Sequence, residues 1–145
     1  MNIQTKYHGE IQVNQEDIIT FEQGIPGFPH ENNFILLPLD QESPFIIMQS
    51  QTTPELGFVV VNPFLFFQEY EFNLLENDKE VLKINAQEDI QILSILTVKE
   101  PFSESTANLQ APVIINHKEK LAKQIILNNT TYTTRHRIIQ EEVKK

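Results

Sequence analysis

Short runs of β-branched and other apolar residues recur along the whole chain. Apolar runs of this length, bounded by turn-forming residues, are typical of β-strands, because alternate side chains then face one side of a sheet. The run at 89–98 carries apolar residues on both of its faces, which predicts a central strand. We predict nine strands, at residues 2–7, 10–13, 17–21, 34–38, 45–49, 57–61, 89–98, 111–115 and 122–127.

Turn and helix signals lie between these runs. The segment 24–29 (GIPGFP) is predicted to be a turn-rich crossover, because glycine permits positive φ and proline fixes its own φ. Asn62, which precedes a proline, predicts a capped short helix within 63–69. Asn77, with Glu80 three residues later, predicts a second capped helix. The pattern as a whole predicts a mainly β fold: a small antiparallel β-barrel-like single domain with a few short helices.

The length of 145 residues suits one compact domain. We assign residues 1–137 to this domain and 138–145 to a charged C-terminal tail. The longest uncharged apolar runs are far too short to span a membrane, and the N-terminus lacks an apolar signal segment. The absence of cysteine excludes disulfides and thiolate metal sites. We therefore expect a cytoplasmic protein with no membrane partner.

The net charge of −9 is unevenly distributed. Residues 1–108 contain 17 acidic and 4 basic side chains, a net charge of −13, whereas residues 109–145 contain 3 acidic and 7 basic ones, a net charge of +4. Nucleic-acid affinity depends on basic side chains that displace counterions, so we predict no direct nucleic-acid binding. The acidic charge serves either solubility alone or the attraction of basic partners.

The sequence contains no recognisable catalytic motif. No phosphate-binding glycine loop and no serine elbow are present. The four histidines are too far apart for a local metal motif: His8, His30, His117 and His136. Glu69 and Glu71, spaced as on one face of a strand, form a carboxylate pair, but exposed carboxylates lack the desolvation that separates two pKa values. We predict no catalytic site, no metal and no cofactor; a small β-barrel enzyme using a carboxylate pair is the alternative.

Five short motifs follow one another along the chain: 7–10 (YHGE), 21–28 (FEQGIPGF), 62–64 (NPF), 106–112 (TANLQAP) and 132–136 (YTTRH). Together they resemble the FliW family of flagellar assembly factors, and the similarity runs from about residue 3 to about residue 137. The resemblance implies a small β-barrel-like domain with short helices. The strands predicted from the apolar runs agree with that fold.

The resemblance also implies a function. Proteins of the FliW family bind flagellin in the cytoplasm and bind the translational repressor CsrA, and the two partners compete. A member is a flagellar assembly factor and flagellin chaperone, and no enzyme. It antagonises CsrA non-competitively and couples flagellin translation to export by partner switching. An anionic mimic that occupies the RNA site of CsrA is one alternative, and a general chaperone for basic or amphipathic peptides is another.

Two partner-binding surfaces are predicted on this basis. For the basic repressor we predict an acidic face formed by Glu69, Glu71, Glu76, Asp78 and Glu80. Flagellin has amphipathic terminal segments, for which we predict an apolar groove lined by Phe64, Leu65, Phe66, Phe67, Pro112 and Val113. The alternative for each phenylalanine is a place in the hydrophobic core. We expect a monomer, because the sequence has no coiled-coil seam.

Overall fold

The computed structural model describes residues 1–128 and 130–139. The strands are β1 (Asn2–Thr5), β2 (Gly9–Gln12), β3 (Ile19–Phe21), β4 (Asn33–Pro38), β5 (Ile46–Ser50), β6 (Gly57–Val61), β7 (Ile90–Thr97), β8 (Thr106–Ala107), β9 (Val113–Asn116), β10 (Leu121–Gln124) and β11 (His136–Arg137). The α-helix α1 spans Glu76–Val81, and short 3-10 helices span Gln15–Asp17, Pro63–Leu65, Gln87–Asp89 and Phe102–Glu104. Most of the predicted tail, residues 140–145, lies outside the described residues.

Seven of these strands close into a barrel. The order around the ring is β7, β6, β5, β4, β3, β10 and β9, and pairing of β9 with β7 completes the circle. Neighbouring strands are antiparallel except β3 and β10, which are parallel. A ring with an odd number of strands cannot alternate in direction all the way round, so a parallel pair is required. The predicted mainly β, barrel-like fold is confirmed, and its antiparallel pattern is corrected at this one pair.

Strand β7 is central, as predicted. One of its edges pairs with β6, while the other pairs first with β9 and then with β8. Strand β11 extends β8 outside the ring. Strands β8 and β11 were not predicted, because strands of two residues have no periodicity to detect.

Apolar side chains fill the barrel and form layers outside it. Phe34, Met48 and Val60 inside the barrel are fully buried, and the rings of Phe21 and Phe34 meet edge to face with centroids 5.3 Å apart. A hairpin of β1 and β2 packs on the barrel wall through the cluster that contains Ile3 and Ile35, and another cluster lies beneath α1. Each fully buried side chain of this size contributes about 1.5–3 kcal/mol to folding.

The turn and cap predictions have different outcomes. Gly24 and Gly27 have φ of 72° and 88°, so the segment turns on glycine as predicted. It joins the antiparallel neighbours β3 and β4, so it is a hairpin connection and the predicted crossover is wrong. Asn62 caps the 3-10 helix: its side-chain oxygen accepts a hydrogen bond from the Phe64 N–H at 2.9 Å. The predicted Asn77 cap is wrong, because the N-cap of α1 lies two residues earlier, at the extended Leu75, which makes no side-chain hydrogen bond.

Candidate partner-binding surfaces

An exposed apolar ridge follows β6. The 3-10 helix capped by Asn62 turns the chain away from the barrel and places Phe64 and Leu65 at the surface, where they are 39% and 59% exposed. We call these two residues the ridge. Phe66 and Phe67 are half-buried and pack on an apolar cluster outside the barrel, so they lie mainly beneath the surface.

The ridge borders an open groove of about 870 Å³, here called the ridge groove. Its apolar lining includes Phe64, Leu65, Pro44, Ile46, Ile90 and Ile92. A groove of this kind accepts the apolar side of an amphipathic segment, because such a segment has one apolar stripe to remove from water.

The structure changes the predicted membership of the apolar groove. Val113 is fully buried inside the barrel, and Pro112 is buried where its carbonyl accepts a hydrogen bond from the Ile125 N–H at 3.0 Å. Neither side chain lines the ridge groove. The prediction grouped them with the ridge because both stretches are dense in apolar residues, but these two serve the core.

Tyr70 connects the ridge to the rest of the surface. Its hydroxyl donates to the Leu109 carbonyl at 2.7 Å, and its ring lies 5.8 Å from that of Phe64, 5.4 Å from Phe72 and 4.8 Å from Tyr132, centroid to centroid. Burial raises the pKa of Tyr70, and the neighbouring Tyr132 raises it further. Tyr70 and Tyr132 were not among the predicted site residues, although the aromatic density of 64–72 was a signal for such a cluster.

The raised pKa of Tyr70 predicts a stability loss at high pH. The pKa of the Tyr70 hydroxyl is higher in the folded protein than in the unfolded chain, where it is about 10. Its contribution to the free energy of unfolding is therefore complete below about pH 10, and it is lost as the pH rises through the folded pKa. Titration of tyrosinate absorbance in the native protein is expected to show a late component that Tyr70→Phe removes. If Tyr132→Phe removes the late component and Tyr70→Phe keeps it, the component belongs to Tyr132 and the prediction for Tyr70 is wrong.

Four of the five predicted acidic-face residues are exposed: Glu69, Glu71, Glu76 and Glu80. The chain between β6 and β7 contains no strand, so Glu69 and Glu71 do not share a strand face as the sequence analysis assumed. Glu69 lines a groove of about 520 Å³ beside Tyr70, Tyr132 and His136. Glu71 lines a different groove, so the two carboxylates do not share a pocket of the kind that paired acid–base chemistry requires.

Asp78 does not belong to the exposed face. Its carboxylate is buried, with 9% of the side chain exposed, and lies 2.6 Å from the ammonium group of Lys123. This ion pair attaches α1 to β10. It neutralises the Asp78 charge, which was predicted to bind the repressor. Glu76 is also partly offset, because Lys79 lies 3.3 Å away, although both of these side chains are solvated.

A further apolar groove, which the sequence analysis did not identify, lies beyond the end of β10. It has a volume of about 540 Å³, and we call it the strand-end groove. One wall is the irregular segment 71–75 and the other is the chain at 125–128. Leu75 and Ile126 line it and are 67% and 59% exposed.

The described residues contain no cluster of three or more histidine, cysteine or acidic side chains able to hold a metal ion. Three of the four histidines instead meet main-chain groups: ring nitrogens of His8 and His117 lie 3.0 and 3.1 Å from the Pro38 and Glu88 carbonyls, and His136 accepts from the Thr133 N–H at 2.8 Å. Over the same part of the chain, no helix has both the length and the apolar character needed to cross a membrane.

A sequence model described as FliW protein matches residues 2–138. The chain belongs to the FliW family. It is 52% identical over 145 residues to a protein of Geobacillus kaustophilus (strain HTA426) named flagellar assembly factor FliW, with both chains covered completely. It is 51% identical over 138 residues to the protein of that name from Bacillus subtilis (strain 168), with 95% of this chain and 96% of the other covered.

A solved structure is similar over the same extent. The crystal structure of a flagellar assembly factor FliW has a TM-score of 0.94 and 52% sequence identity, and covers 99% of this chain and 100% of that one. The closed barrel and the segments that carry the ridge therefore occur in a fold shared with this FliW family protein.

Proposed function

We propose that this protein is a cytoplasmic flagellar assembly factor that acts by binding and has no enzymatic activity. Its proposed partners are flagellin and a CsrA-type translational repressor, without direct contact to nucleic acid or membrane, and it is a monomer on its own. The observation that carries the proposal is the exposed ridge beside an open apolar groove on an acidic member of the FliW family. A relative named flagellar assembly factor FliW matches this chain over the full length of both proteins.

Flagellin binding is assigned to the ridge groove. Two exposed apolar side chains, Phe64 and Leu65, stand over a lining of half-buried isoleucines. A helix laid in this groove would cover the ridge with its apolar stripe and leave its polar side in water. Unassembled flagellin presents such amphipathic segments, which fits the chaperone role implied by the family.

Repressor binding is assigned to the acidic face in its corrected form: Glu69, Glu71, Glu76 and Glu80. A repressor that grips RNA is basic, so the net charge of −13 over residues 1–108 accelerates its approach and repels competing RNA. In this scheme the protein docks beside the RNA site and antagonises the repressor non-competitively. Accumulated flagellin displaces the repressor, so that flagellin translation follows flagellin export.

Calorimetric titration with purified CsrA, followed by addition of flagellin to the complex, tests this proposal. We expect tight binding that is reversed by flagellin. We also expect it to weaken as salt is raised, because attraction between exposed charges more than about 8 Å apart is largely screened at physiological ionic strength and this distance shortens with added salt. Absence of binding to both proteins would refute the proposal.

Reversal of two charges on the acidic face is expected to weaken repressor binding without unfolding the protein. The double variant Glu69→Lys and Glu71→Lys replaces exposed side chains, so the denaturation midpoint stays close to that of the wild type. The matched control is Glu16→Lys with Glu22→Lys, which makes the same change of net charge at exposed sites outside the acidic face. Equal weakening by the two double variants would show that total charge, and not this face, directs the repressor.

A further inference from the structure

Among the described residues, the two most exposed large apolar side chains outside the ridge both line the strand-end groove. Leu75 stands on one wall and Ile126 on the other, and the half-buried Phe72 also lines the groove. The ridge groove shares no lining residue with it. Two separate apolar grooves are therefore present, one at the end of β6 and one beyond the end of β10.

The wall at 125–128 has a strand edge available for pairing. The N–H groups of Ile125 and Leu127 donate to the carbonyls of Pro112 and Gln110, at 3.0 and 2.8 Å, which continues the antiparallel ladder of β10 and β9 beyond Gln124. Because alternate residues of a strand direct their main-chain groups to opposite edges, the N–H of Ile126 points away from this ladder. It donates to no acceptor among the described residues.

The opposite wall has unpaired donors as well. Across the described part of the chain, none of the N–H groups at 72–75 donates a hydrogen bond, and the two walls do not bond to each other. Leu75 has an extended backbone, with φ of −73° and ψ of 152°. Exposed apolar side chains next to unpaired main-chain groups are the features that an added β-strand satisfies, whereas a helix would leave those main-chain groups unpaired.

The charge of the groove selects a basic segment. The carboxylate of Glu71 lies in its lining and has no ion-pair partner among the described residues, while the charge of Asp78 is offset by Lys123. Glu76 follows the Leu75 anchor outside the lining, and Lys79 partly offsets its charge. An added strand with an apolar residue between Leu75 and Ile126 would match the apolar lining, and a lysine or arginine beside Glu71 would match its negative charge.

We propose that the strand-end groove binds an extended, basic segment of the repressor by strand addition along 125–128. Only the identity of the partner rests on the proposed function above; the mode of binding follows from the unpaired edge at Ile126 and the two apolar anchors. This assignment places the repressor and flagellin on different grooves, with the aromatic cluster of Tyr70 between them.

Two serine substitutions form a matched pair that tests the groove. Ile126 and Leu65 are each 59% exposed, so Ile126→Ser and Leu65→Ser remove equally accessible apolar side chains from different grooves. We expect Ile126→Ser to weaken CsrA binding about tenfold to a hundredfold and to leave flagellin binding unchanged, and Leu65→Ser to do the reverse. Thermal unfolding of both variants checks that each one folds.

The outcomes separate this inference from the proposed function. If wild type binds CsrA and Ile126→Ser binds it equally well, the strand-end groove is not the repressor site, although the partner assignment stands. If wild type binds neither CsrA nor flagellin, the proposed function fails, and this inference fails with it.

Hydrogen exchange distinguishes strand addition from simple apolar contact. The Ile126 amide, which has no described acceptor in the free protein, is expected to exchange at least tenfold more slowly in the CsrA complex, because an added strand accepts its hydrogen bond. The Leu65 amide is the control: it already donates to the Asn62 carbonyl at 3.1 Å and lies outside the groove. Unchanged exchange at Ile126 in a complex that Ile126→Ser weakens would overturn strand addition.

Discussion

Replacement of Leu93 by alanine is expected to lower the free energy of unfolding by about 2–5 kcal/mol. Leu93 is 1% exposed, lies in the middle of β7 and pairs with Val113 of β9, at the seam where the barrel closes. Removal of its side chain leaves a cavity between strands that are hydrogen-bonded on both edges and cannot collapse freely. Urea denaturation monitored by circular dichroism measures the change.

The matched control for Leu93 is Leu65→Ala, the same substitution at a 59% exposed position. That variant is expected to stay within about 0.5 kcal/mol of the wild type, because surface substitutions of this kind rarely change stability more. A Leu93→Ala midpoint equal to that of the wild type would mean that β7 is not the central strand of the core.

The strands were predictable because their signal is local. Each of the nine predicted runs contains or overlaps an observed strand, and two-residue alternation or a continuous apolar run with β-branched residues was sufficient to identify them. The closure of the barrel was not predictable in detail, since the pairing of β7 with β9 joins runs separated by an irregular connection. The parallel pairing of β3 with β10 depends on that closure and follows from the odd number of strands.

The partner surfaces were predictable only where exposure follows from local geometry. Asn62 and Pro63 are a local signal that turns the chain out of β6, and the ridge directly after them is exposed. The burial of Asp78 depends on Lys123, a contact across 45 positions that no local pattern reports. The same limit explains why Val113 was predicted in the groove: an apolar residue suits a groove or a core equally well, and only its neighbours in the fold decide between them.

Replacement of Asn116 by alanine is expected to cost about 2–4 kcal/mol of stability. This buried amide joins two parts of the chain through four hydrogen bonds. Its nitrogen donates to the carbonyls of Leu82 and Lys83, at 2.7 and 3.1 Å, at the end of α1. Its oxygen accepts from the N–H groups of Lys118 and Glu119, at 3.1 and 3.2 Å, in the turn between β9 and β10. Alanine satisfies none of these groups, and the side chain is 1% exposed, so water cannot readily replace them.

The variant Asn116→Asp separates hydrogen bonding from the loss of volume. Aspartate has the same shape and keeps the acceptor for the turn, but at neutral pH it presents a carboxylate oxygen to the Leu82 carbonyl in place of a donor. We therefore expect it to be at least as destabilising as alanine in urea denaturation, although it leaves no cavity. The control is Asn62→Ala, which removes an exposed cap and is expected to cost about 1 kcal/mol. Wild-type stability in Asn116→Asp would mean that the amide donor does not hold α1 to the barrel.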